Sequence, residues 1–98
     1  MLEAELNVPD GTSTDAVVRI IEHVCTANHL ICTLKGSLVG YPGSVHWHFK
    51  KGIQKGILEV TWWGAEHRLW FKVAENRTGA WIKEGIPLLK AQIENSLH

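Results

Sequence analysis

Residues 45–49 read Val45-His46-Trp47-His48-Phe49, residues 58–62 read Leu58-Glu59-Val60-Thr61-Trp62, and residues 69–73 read Leu69-Trp70-Phe71-Lys72-Val73. In each stretch a large apolar residue recurs at every second position, the period of a half-buried strand. Pairing Phe49 with Leu58 sets Trp47 opposite Val60 and Val45 opposite Trp62. Pairing Trp62 with Leu69 sets Val60 opposite Phe71 and Leu58 opposite Val73. Both alignments collect the apolar set on one face, and a slip of one residue would throw that set onto the other. Gly52-Ile53-Gln54-Lys55 and Gly64-Ala65-Glu66-His67 supply the intervening turns.

Working upstream, Leu30, Cys32, Leu34, Gly36 and Leu38 continue the alternation, and Gly40-Tyr41-Pro42-Gly43 is turn chemistry. Pairing Leu38 with Val45 sets Gly36 opposite Trp47 and Leu34 opposite Phe49. The expected sheet is therefore a four-stranded antiparallel meander. Further upstream, Val17, Ile20, Ile21 and Val24 recur at helical spacing, so residues 13–27 read as an amphipathic helix. Thr12 or Ser13 caps it, and Asn28-His29 ends it. Residues 2–8 alternate Leu2, Ala4, Leu6 and Val8 with polar residues, which permits an edge strand before the break at Pro9-Asp10-Gly11.

Downstream, Ile82, Ile86, Leu89, Ile93 and Leu97 form a helical stripe interrupted by Gly85 and Pro87, so the last helix either kinks there or begins near Pro87. One apolar sheet face and two apolar helix stripes combine most simply as a two-layer α+β sandwich, (β)-α-β-β-β-β-α, forming a single domain over residues 1–98.

The composition is that of an ordinary globular chain, 45% apolar and 20% charged, and it excludes a disordered or coiled-coil chain. No apolar run reaches the roughly 18 residues a bilayer-spanning helix needs, and the chain opens on acids, so no membrane role and a cytoplasmic location are expected. Ten basic and ten acidic residues cancel. Residues 1–29 nevertheless carry a balance of −4 and residues 30–74 one of +4. Cys25 and Cys32 stand without a second pair, and both are expected as buried free thiols.

With both helices on one side of the sheet, the other side is open. Its expected rows are Ser37, His46, Thr61 and Trp70; Lys35, His48, Glu59 and Lys72; and Val39, Ser44, Trp63 and Arg68. Two tryptophans, two histidines and several cations are unusual for a face that meets only water. His46, His48, Trp63, Arg68, Trp70 and Lys72 are accordingly the candidate contact residues of a binding module whose partner is another protein or a second copy of the chain. The alternative is single-stranded nucleic acid, with bases stacking on Trp63 and Trp70 and cations meeting phosphates. A third reading places a metal or small ligand at His46, His48 and Glu59, because i, i+2 strand positions share a face and Glu59 lies opposite His48. Lys35 and Lys72 in that row oppose a cation. No nucleophile elbow, phosphate loop or HExxH pattern is present, so no catalytic residue and no cofactor are expected.

Overall fold

The computed structural model describes residues 2–98. The elements in order are β1 (Leu2–Leu6), α1 (Thr14–Ala27), β2 (Ile31–Gly36), β3 (Val45–Lys50), β4 (Leu58–Trp63), β5 (Arg68–Val73) and α2 (Ala80–Leu97). The class is α+β as expected, but the sheet has five strands and not four. Its order is β1-β5-β4-β3-β2, and every neighbouring pair is antiparallel. The N-terminal alternation does form a strand, with Leu2 opposite Val73 and Leu6 opposite Leu69. β1 and β2 thus lie at opposite edges, and the chain crosses between them through α1.

The central registers are those the alternation dictates: Phe49 faces Leu58, Trp47 faces Val60, and Trp62 faces Leu69. Trp47, Leu58, Val60, Trp62, Leu69 and Phe71 are buried with Val17, Ile21, Ile82, Leu89 and Ile93 of the helices. The core lies between that one sheet face and the helix pair. Its tryptophans keep their N–H groups satisfied, as a buried indole requires. Trp47 donates to Glu22 Oε2 at 3.0 Å, Trp62 to Thr14 Oγ1 at 3.0 Å, and Trp81 to the Lys55 carbonyl at 3.0 Å.

Ser13 caps α1, its hydroxyl accepting from Ala16 N at 3.1 Å. At the other end His29 takes the left-handed conformation (φ 64). α2 runs from Ala80 past Pro87, which is exposed, so of the two alternatives the start near that proline is excluded. The side chains of Asn28 and Gln92 join the two helices at 2.7 Å.

The β2–β3 register departs from expectation. A bulge between Cys32 and Leu34 shifts the ladder, so that Lys35 faces Trp47, Leu34 faces His48 and Gly36 faces His46. The extra residue exchanges the faces of Leu34, Lys35 and Gly36. Lys35 therefore lies on the helix side, 2.6 Å from Glu22 Oε2, and is not on the open face. Leu34 takes its place beside His48. Gly36 does not pack against Trp47, and a Cβ there would meet nothing within 4 Å. β2 is touched by α1 through the Lys35–Glu22 pair but is not covered by the helices, since its six residues are all exposed. Cys25 is buried and its thiol is pushed up to about 12 by burial, whereas Cys32 is exposed, contrary to the expectation of two buried thiols.

Candidate ligand cleft on the open face

All six candidate contact residues stand on the face opposite the helices. His46 and His48 alternate with Trp47 and Phe49 on β3. Glu59, Thr61 and Trp63 alternate with core residues on β4, as do Arg68, Trp70 and Lys72 on β5. β1 adds Glu3 opposite Lys72 and Glu5 opposite Trp70. These two acids escape a sequence reading because the alternation in residues 2–8 does not reveal which strand it pairs with.

The face is not bare. The loop between Gly36 and Val45 folds over it as two consecutive turns, with Tyr41 N bonded to the Leu38 carbonyl and Ser44 N to the Tyr41 carbonyl, each at 3.1 Å. Gly40 (φ 88) and Gly43 (φ 78) occupy the third positions, where such turns need positive φ, and Pro42 pre-sets the second position of one of them. Ser44 staples the loop base: its hydroxyl accepts from Leu38 N and its carbonyl from the Ser37 hydroxyl, each at 2.9 Å. Ser44 is thus spent on the loop.

Tyr41, shared by the two turns, is thereby held over the sheet. Its ring meets Trp63 edge-on at 4.9 Å and Trp70 at 5.5 Å, and Trp63 Nε1 donates to the Pro42 carbonyl at 3.2 Å. The Arg68 guanidinium lies 4.9 Å from the Trp70 ring centroid and forms a bidentate pair with Glu5 at 2.9 and 3.0 Å. Trp70 is left only 7% exposed. The expectation of two open indoles is corrected: Trp63 is half-buried and Trp70 is covered.

Beneath Tyr41 the loop roofs a cleft of about 270 Å³, lined among others by Glu3, Tyr41, His46, Glu59, Trp70 and Lys72. On its floor His46, 6% exposed, is fixed by a 2.7 Å bond between its Nδ1 and Thr61 Oγ1. His46 Nε2 lies 3.1 Å from His48 Nε2 and 3.5 Å from Glu59 Oε1, and His48 Nε2 lies 3.9 Å from the same oxygen. Burial, reinforced by the neighbouring His48, holds the His46 pKa below the usual histidine range. His46 is therefore neutral at neutral pH. Lys72, the cross-strand neighbour of both Glu3 and Glu59, makes no ion pair among the described residues.

No family model matches the chain, and neither a curated protein nor a solved structure matches it. No helix among the described residues is long and apolar enough to cross a membrane.

Proposed function

We propose that this chain is a binding module that takes a small polar molecule into the cleft between the Tyr41 loop and the open sheet face. The observation that carries the reading is unspent polar capacity around a roofed space. The Lys72 ammonium, the Tyr41 hydroxyl and the Trp70 indole N–H have no hydrogen-bond partner among the described residues, and all three residues line the cleft. Lys72 suits an acidic group on the ligand. Glu3 and Glu59 accept from donor groups, while Tyr41 and Trp70 supply apolar walls. The lining is mainly polar and charged, with Tyr41 and Trp70 as its aromatic part, which suits a polar ligand and not an apolar one. The covered Trp70 weighs against the nucleic-acid alternative, which needs a ring face free to stack.

An amide chemical-shift titration with small amino acids, hydroxy acids and phosphate monoesters tests this reading, with a short single-stranded oligonucleotide run in parallel. Saturable shifts at Tyr41, His46, Thr61, Trp70 and Lys72, lost in Lys72→Met, are the expected result. Shifts only with the oligonucleotide, or none in the cleft with any compound, reject it.

A second reading, a protein partner or self-association, is favoured by the free β2 edge. Ile31 (55% exposed), Leu34 (46%) and Val39 (96%) stand out of any core along or just beyond that strand. An exposed apolar edge is a template for strand pairing. Light scattering across a concentration series tests it: a mass that rises for the wild type and stays monomeric for Leu34→Lys supports the edge, and a constant monomer removes self-association.

A further inference from the structure

We propose that His46 Nε2, His48 Nε2 and Glu59 Oε1 form a binding site for a divalent transition-metal ion of the zinc type. The three groups offer ligand atoms that all lie within 4.8 Å of one another. Ligands about 2.0–2.1 Å from a tetrahedral zinc lie roughly 3.3–3.4 Å apart. The separations of 3.1, 3.5 and 3.9 Å bracket that edge, so an ion is accommodated by small side-chain rotations. Two imidazoles and one carboxylate suit zinc, cobalt, nickel or ferrous iron better than calcium or magnesium, which prefer all-oxygen sets.

The backbone that presents these groups is stiff. His46 and His48 are i, i+2 on β3, and Glu59 is the direct partner of His48 on β4; both strands are interior to the sheet. The Thr61 hydroxyl supplies the outer support that metal-binding histidines require. With the His46 proton on Nδ1 and donated to Thr61 Oγ1, the Nε2 lone pair points at the other two ligands.

Local charge also admits a cation. Arg68 is neutralised by Glu5, and Lys72 stands between Glu3 and Glu59 in the ladder, while Lys50, two residues beyond His48, is the other cation of this face. Glu3 comes from β1 and stands directly across the ladder from Lys72, adding negative charge to that side of the site. His46 and Glu59 also line the cleft, so the three donors lie at its wall. The metal site stands on its own donor geometry and does not depend on the cleft taking an organic ligand.

The test uses the metal alone. Metal-free protein is titrated with Zn²⁺ by calorimetry and with Co²⁺ by visible absorption, while histidine ring ¹H–¹⁵N signals report location. One equivalent should bind, moving the His46 and His48 ring resonances and giving the intense d–d bands of a four- or five-coordinate cobalt site. Affinity should fall at least about tenfold in His48→Ala and in Glu59→Gln. Both residues are only partly buried, so both variants are expected to fold, with circular dichroism as the check. Equal binding by wild type and both variants, or shifts confined to His23, His29, His67 or His98, overturns the proposal. So does the absence of binding to wild type.

Discussion

Tyr41 meets Trp63 edge to face, with ring centroids 4.9 Å apart and planes at 86°. This contact turns an open sheet face into a roofed one, because the same tyrosine also covers Trp70. Edge-to-face aromatic pairs contribute about 0.5–1.5 kcal/mol beyond simple burial. Tyr41→Ala should therefore release the loop while leaving the two-layer core intact. Tryptophan emission should shift to the red and acrylamide quenching should rise, since Trp63 and Trp70 become accessible while Trp47, Trp62 and Trp81 stay buried. Unchanged quenching would show that the loop is not held by this ring.

Gly79 and Gly85 make opposite predictions for the same substitution. A Cβ at Gly79 would overlap the Lys55 carbonyl oxygen, a backbone atom that cannot rotate away. Gly79→Ala should cost about 1–3 kcal/mol, the usual range for overpacking. At Gly85, inside α2, a Cβ would come no closer than 3.9 Å to Leu89 Cδ1. Gly85→Ala should gain about 0.5–1 kcal/mol from helix propensity. Urea denaturation of both variants measures the two signs.

Glu22 joins α1 to the sheet twice, accepting from Trp47 Nε1 at 3.0 Å and pairing with Lys35 at 2.6 Å. The hydrogen bond from Lys35 is the main cause of a carboxyl pKa held below its ordinary 4.5; burial opposes it, and the Trp47 bond and the Lys35 charge add smaller lowering effects. The folded value lies below the unfolded one, so this stabilisation is fully present above about 4.5 and is lost as pH falls through the lowered value. Glu22→Gln keeps an acceptor for Trp47 but removes the charge. Its stability deficit should be small, since the pair is largely exposed. The deficit should be measurable at pH 7 and vanish in acid, and a pH-independent deficit would assign the effect to packing alone.

The two thiols should separate kinetically. Cys32 is exposed, while Cys25 is buried with its thiol held in the neutral form. The thiolate is the reactive species. An aromatic disulfide reagent should modify one thiol per native chain quickly and the second only on unfolding. Cys32→Ser should abolish the fast phase, and fast reaction of both thiols would mean that the core opens readily.

The central hairpins were legible because their information is local. Alternation over five residues, repeated three times, admits one register that buries every large side chain, and β3, β4 and β5 adopt it. The limits of α1 follow from Ser13 and Asn28 for the same reason. Alternation at β2 misled because a bulge leaves the residue pattern intact while exchanging the faces beyond it. An edge strand whose residues are all exposed gives no burial penalty to betray the shift. His46, His48 and Glu59 were nameable as a set, since strand period and register bring them to one spot. Their separations and the orienting Thr61 bond were not.

Residue order along the chain thus determined the period of each element, the turns that join them and the side of the central strands each side chain takes. All of these depend on neighbours a few positions away. Folding in three dimensions decided where β1 docks, which puts Glu3 beside Lys72, and how the Tyr41 loop lies over Trp70. Those contacts join residues dozens of positions apart, and their free energies depend on shapes that exist only once the sheet has formed.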